Sequence, residues 1–203
     1  MLLKTLYHFL RHPSISGITV PFKVYHKAKI HVGKNVTLKL EGRLKVGNDN
    51  SLPSVSLLSI NLWFDENSTV KFGKSVCIGP GVNLIVKKGA KVSIGSHTYF
   101  ASDCHIESTN ELDIGSNCAI SWGVTILDSD HHVITYPDVK EKLNKVHVSD
   151  NVWIGCNVTL LKGTSIGKGS VVAAGSIVKG TFPPNSLIGG NPAKLLRTGV
   201  SWS

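Results

Sequence analysis

Val148-Ser149-Asp150-Asn151-Val152-Trp153-Ile154-Gly155-Cys156-Asn157-Val158-Thr159-Leu160-Leu161-Lys162-Gly163-Thr164-Ser165-Ile166-Gly167-Lys168-Gly169-Ser170-Val171-Val172-Ala173-Ala174-Gly175-Ser176-Ile177-Val178 is the stretch that decides the fold. Every sixth residue is aliphatic: Val148, Ile154, Leu160, Ile166, Val172 and Val178. Four residues after each stand Val152, Val158, Thr164, Ser170, Ser176 and Phe182, all but the last small or β-branched. A period of six fits neither a helix nor an alternating strand. It fits a triangular coil, in which six residues make a short strand plus a corner. Three such units return the chain to the same edge, so residues eighteen apart stack at the strand spacing of about 4.8 Å. The aliphatic points inward, and the small residue four later shares the narrow interior. Glycine and asparagine take the corners, where positive φ is tolerated. Successive rungs pair with each other, which leaves only the two ends to cover.

Working outward, the same register appears with breaks. Ile114, Ile120 and Ile126 form one run, offset by two residues from Ile94, Phe100 and Ile106. Phe72, Ile78 and Leu84 form another, and Val32–Thr37 reads as an isolated first unit. The breaks fall at residues 48–56, 107–113 and, longest, Asp128 to about Val146. The last is too polar for the interior and must project. Residues 38–70 match the repeat poorly; Trp63 and Phe64 within them are expected to pack in the core, with stacking against a sugar ring as the alternative.

The 203 residues make one domain, rich in glycine (20) and low in charge (17%), which favours turn-rich β structure over helix bundles. The net charge of +9 attracts anions such as an acidic glycan, anionic lipid or a polyphosphate cofactor. No basic cluster is interleaved with aromatics, so nucleic acid is not an expected partner. Cys77, Cys104, Cys118 and Cys156 show no C-x-x-C spacing and read as thiols in a reducing compartment. No stretch is apolar enough to cross a membrane. In Met1–Ser16, Leu2, Leu3, Leu6, Phe9 and Leu10 share one helical face, expected to cap the β structure, with membrane-surface contact as the alternative. The organisation expected is a cap over residues 1–20, the β-helix over 21–190 and a tail over 191–203.

The long break carries Asp128-Ser129-Asp130-His131-His132. An imidazole beside a carboxylate is a general-base arrangement, because the carboxylate fixes the tautomer and supports the imidazolium. Adjacent histidines in a polar loop are often merely solvated. Here, however, they end a coil in a chain whose coils otherwise keep register.

Four segments, Ser121-Trp122-Gly123-Val124-Thr125-Ile126-Leu127 running into the Asp-Ser-Asp-His-His loop, Val152-Trp153-Ile154-Gly155, Ala173–Val178 and Gly189-Gly190-Asn191-Pro192-Ala193-Lys194, resemble the hexapeptide-repeat acetyltransferases. The resemblance covers roughly residues 70–197 and is nearest to the branch that O-acetylates surface polysaccharides and lipopolysaccharides. It implies a left-handed parallel β-helix, acetyl-CoA as co-substrate, a sugar or glycan acceptor, no metal, and a homotrimer with active sites between neighbouring prisms. It also implies a cytoplasmic protein, at the inner membrane face if the N-terminal segment touches lipid. Carried over residue by residue, the base is His132, the histidine after D-x-D-x; a gap-free count against the galactoside and maltose enzymes selects His131 instead. Asp128 or Asp130 would orient it. Trp153 and Ala174 match pantetheine contacts, Lys179 a polar cofactor contact, and Lys194 and Arg197 the holders of the cofactor's phosphates. Lys179-Gly180 stands where the galactoside type carries a threonine-lysine pair.

Three rival readings are carried forward. Amino-sugar N-acetylation is the nearest. A metal-dependent lyase of the γ-carbonic-anhydrase kind needs three convergent histidines, for which His97, His105, His131, His132 and His147 are the candidates. A non-catalytic scaffold would have no use for the loop histidines, Trp153 and the basic tail.

Overall fold

The structure, a computed structural model, describes residues 15–16, 22–24, 28–47, 58–132 and 145–203. They form a three-sided parallel β-helix. Face one runs through strands Ile15–Ser16, Thr37–Leu40, Thr69–Phe72, Lys91–Ile94, Glu111–Ile114, Lys145–Val148, Ser165–Ile166 and Thr181–Phe182. Face two includes Phe22–Val24, Leu44–Val46, Tyr99–Phe100, Ala119–Ile120, Trp153–Ile154, Val171–Val172 and Ser186–Gly190. Face three includes Ala28–Val32, Ile60–Phe64, Asn83–Val86, His105–Ser108, Thr125–Leu127, Thr159–Leu160 and Ile177–Val178. No helix is present among the described residues. The expected helical character of the N-terminal cap lies mostly outside them, yet Ile15–Ser16 already pairs in parallel with Leu38–Lys39.

The six-residue period becomes three stacked columns of interior side chains. Phe72, Ile94, Ile114, Val148, Ile166 and Phe182 line face one. Ile78, Phe100, Ile120, Ile154, Val172 and Ile188 line face two; Leu84, Ile106, Ile126, Leu160 and Val178 line face three. All are buried, as are Thr164, Ser170 and Ser176 at the small positions. Phe182 departed from the small-residue pattern for a simple reason. It pairs with Ile166, sixteen residues away, because the last coil is two residues short; it is therefore an interior column residue.

The corners take left-handed backbone. Asn35, Asn67, Asn117, Asn151, Asn157 and Asn185 all have φ near +55 to +59°. Glycines elsewhere answer a different need. A Cβ on Gly115 would stand 2.5 Å from Asp150 Oδ1 and 2.6 Å from the Asp150 nitrogen, so this turn nests directly under the next. Trp63 corrects the expectation of core packing: only Phe64 is buried, while Trp63 is 46% exposed because it occupies an outward register position. The expected tail is not a separate piece, since Ala193–Thr198 returns antiparallel along Ser186–Gly190 and widens face two.

Candidate active site

Asp128 is the first surprise of the histidine loop. Its side chain is buried, at 1% exposure, and is engaged by residues 108–110. Oδ1 accepts from the Thr109 backbone N–H at 2.7 Å and from the Thr109 hydroxyl at 3.1 Å. Oδ2 accepts from the Ser108 hydroxyl at 2.7 Å and from the Asn110 N–H at 3.0 Å. These donors belong to the insertion of the coil below, whose two extra residues leave backbone groups without rung partners. Asp128 therefore clamps one irregular turn onto another. Asp130, in turn, pairs with Lys162 at 2.9 Å, one coil further along. Among the described residues neither carboxylate is paired with an imidazole: Asp128 holds the 108–110 turn and Asp130 holds Lys162.

A different carboxylate fills that place. Glu107 is next to last in the strand beneath, and its side chain is 15% exposed. Oε1 is 3.8 Å from His131 Nε2 and 3.5 Å from Lys87 Nζ, and Oε2 is 3.7 Å from His105 Nε2. His131 itself stands at a corner with φ +57°, its N–H bound to Ser129 Oγ at 3.0 Å. That conformation turns His131 back over face three. His132, the next residue, is exposed and has no polar partner among the described residues. Glu107 and His105 were missed as a pair because the insertion between them and the loop hides their register; only their outward alternation with buried Ile106 signalled a shared face.

The expected cofactor residues assemble elsewhere. Trp153, Val171, Leu187 and Arg197 are neighbours across successive strands of face two, so an aromatic, two aliphatics and a guanidinium make one outward column. Lys194 lies beside it, opposite Gly189. The Trp153 indole donates to Ser121 Oγ at 3.2 Å. Trp202 packs obliquely against it, ring centres 6.3 Å apart, and donates to the Asn151 carbonyl at 2.8 Å. Ala174 is exposed at the turn between faces two and three. Lys179 follows the last strand of face three, away from this column.

The loop histidines project from the edge where face three meets face one, while Trp153 sits on face two, the side of the prism opposite that edge. One chain thus brings Trp153, Lys194 and Arg197 together but keeps them apart from His131 and His132. Cys104 and Cys118 are buried, and burial pushes both thiols up, that of Cys104 to about 11. A nucleophilic thiolate does not form in such surroundings. The lyase reading needs convergent ligands. His97 lies at a corner, His105 on face three and His147 on face one, the last bound to Asp113 at 2.9 Å and Ser149 at 3.1 Å. Among the described residues no group of three or more histidine, cysteine, aspartate or glutamate side chains is placed to hold a metal.

Residues 145–180 match the bacterial transferase hexapeptide family of six repeats. WbbJ of Escherichia coli K12, named as a lipopolysaccharide biosynthesis O-acetyl transferase, is 30% identical over 66% of this chain and 74% of its own length. The chain belongs to the hexapeptide-repeat acetyltransferases. Its β-helix is accordingly the left-handed one. The crystal structure of NeuO, a polySia-specific acetyltransferase, covers 90% of this chain and 89% of its own, with a TM-score of 0.55 and 27% identity. A hexapeptide-repeat acetyltransferase from Vibrio cholerae, solved with acetyl coenzyme A, covers 66% of this chain and 71% of its own, with a TM-score of 0.54 and 29% identity.

Proposed function

We propose that this acetyltransferase uses acetyl-CoA to O-acetylate a sugar hydroxyl of a surface glycan or of its lipid- or nucleotide-linked precursor, in a cleft between two copies of the chain. The observation that carries this reading is the separation just described: an aromatic, aliphatic and basic column on one face and histidines on the opposite edge. A trimer of parallel prisms would set the histidine edge of one subunit against face two of the next, and a flat-sided prism needs that second subunit to enclose a ligand.

In this cleft the pantetheine arm lies along Trp153, near Ala174, with Val171 and Leu187 as an apolar floor. Lys194 and Arg197 hold the phosphates, Arg197 by its planar fork. His132, exposed at the start of a loop whose base is pinned by Asp128 and by the Asp130–Lys162 pair, takes the proton from the acceptor hydroxyl. The hydroxyl oxygen attacks the thioester carbonyl, and CoA leaves as the thiol. General-base catalysis of this kind contributes about 10²–10⁴-fold. Holding both substrates together supplies much of the rest. A second reading makes His131 the base, favoured by the Glu107 carboxylate that would steady its imidazolium. The +9 charge and the names of WbbJ and NeuO support an acidic or lipopolysaccharide-type acceptor, and the described residues contain no helix long and apolar enough to cross a membrane.

The test is release of CoA thiol from acetyl-CoA with a panel of glycan acceptors, including polysialic acid oligomers and lipopolysaccharide core fragments. Acceptor-dependent release that collapses in His132→Ala supports the reading. Release that collapses only in His131→Ala moves the base by one residue. Wild-type protein that binds CoA but never consumes acetyl-CoA contradicts it.

A further inference from the structure

Face three carries a second feature, below the histidine loop. Its outward column runs His31, Trp63, Ile85, Glu107 and Leu127, one residue per coil. Trp63 is nearly half exposed, yet it is held on two sides. Its indole N–H donates to Asp65 Oδ1 at 2.7 Å. The His31 imidazole stacks on it with ring centres 3.9 Å apart and planes 17° from parallel. Because His31 is its neighbour along the column, the indole plane lies roughly across the solenoid axis. One face is covered by His31; the other looks along the axis toward Glu107, over the short, half-buried side chain of Ile85.

Rungs are about 4.8 Å apart, so two rungs put the indole about 9–10 Å below the Glu107 position. A pyranose stacked at a contact distance of about 4 Å leaves about 5–6 Å to the Glu107, His105 and His131 groups, the reach of a ring hydroxyl or of the next glycosidic bond. Beside this step runs a column of amides, in which Asn61 Nδ2 donates to Asn83 Oδ1 at 2.6 Å and Asn83 Nδ2 donates to the Gly81 carbonyl at 3.3 Å. The geometry points to Trp63 as a stacking platform for one sugar ring of the acceptor, seated on Ile85 between the indole and the histidine cluster. The inference rests on the acetyl-transfer reading only for the identity of its occupant. The apolar C–H face of a pyranose suits the electron-rich face of indole, and its rim hydroxyls suit the amides. Holding the indole beforehand removes most of the ordering cost of such a contact.

The test reads binding and turnover separately. The indole N–H resonances of wild-type protein are followed by NMR during titration with methyl galactoside, methyl N-acetylglucosaminide and methyl sialoside, the Trp63 signal being assigned by its loss in Trp63→Phe. At least one pyranoside is expected to move the Trp63 signal saturably. In Trp63→Ala the affinity for that glycoside should fall about tenfold, with the Kd for CoA and the oligomer mass unchanged. No movement with any of the three overturns the platform. A Trp63→Ala protein with altered oligomer mass also overturns it, because the indole would then be a subunit contact. Trp63 shifts in a protein that never transfers acetyl groups would keep the platform and sink the acetyl-transfer reading instead.

Discussion

Replacing Asp128 separates a structural carboxylate from a chemical one. Asp128→Ala removes the acceptor of two backbone N–H groups and two hydroxyls beneath the histidine loop. A stranded buried polar group costs about 1–3 kcal/mol. The Asn110 N–H lies at an exposed residue and can recruit water, and a hydroxyl can rotate, so the four do not add. We expect a loss of about 3 kcal/mol, which for a domain of this size lowers Tm by about 6–12 °C. Asp128→Asn keeps one acceptor oxygen but turns an NH₂ toward at least one donor, and should lose about half as much. Differential scanning calorimetry measures the stability, and acetyl transfer at a temperature well below both melts measures the chemistry. The account predicts a clear fall in Tm with kcat retained to within about fivefold. An unchanged Tm with kcat down a hundredfold or more would show that the carboxylate reaches the reacting groups, and would refute the turn-clamp reasoning.

Further outcomes follow from the same geometry. Arg197→Ala and Lys194→Ala should each raise KM for acetyl-CoA about tenfold with little change in the acceptor KM, and the defect should shrink at high salt as the wild type weakens. Gly115→Ala should destabilise the fold by about 2 kcal/mol in a urea melt, because its Cβ would meet the Asp150 backbone and carboxylate at 2.5–2.6 Å. Cys104, with a thiol pushed up to about 11 by burial, should resist a thiol reagent at pH 8 until the protein unfolds. The sign of its linkage is set by that raised value: the unfolded thiol ionises near 9, so stability is intact below pH 9 and declines between pH 9 and 11. A chevron or melt series across that range that stays flat would contradict it.

The interior of this solenoid was legible because it is one-dimensional. The aliphatic at Val148 and its five successors each occupy the same place in a repeating unit, so spacing alone located them. Even the misfit, Phe182, was a signal that the last coil shortens. Breaks in the repeat were equally visible as positions, but their contents were not. An insertion at 107–113 shifts register by two residues, which put Asp128 over a turn and Glu107 under His131; no local pattern encodes that exchange of partners. Trp63 lay in a stretch whose irregular coil lengths obscured the inward-outward alternation, and it proved to be outward. The tail read as an appendage because antiparallel return on a parallel solenoid has no six-residue signature.

The central claim is that each active site draws its histidine from one subunit and Trp153 with the basic tail from another. Co-refolding equal amounts of His132→Ala and Trp153→Ala chains tests it directly. Each variant alone should be severely impaired at low acetyl-CoA. In random mixed trimers about one site in four joins an intact histidine to an intact tryptophan, so activity should recover to about a quarter of wild type. Activity no greater than the average of the two separate variants, in trimers shown to be mixed, would place both residues in a site within one chain and contradict the account.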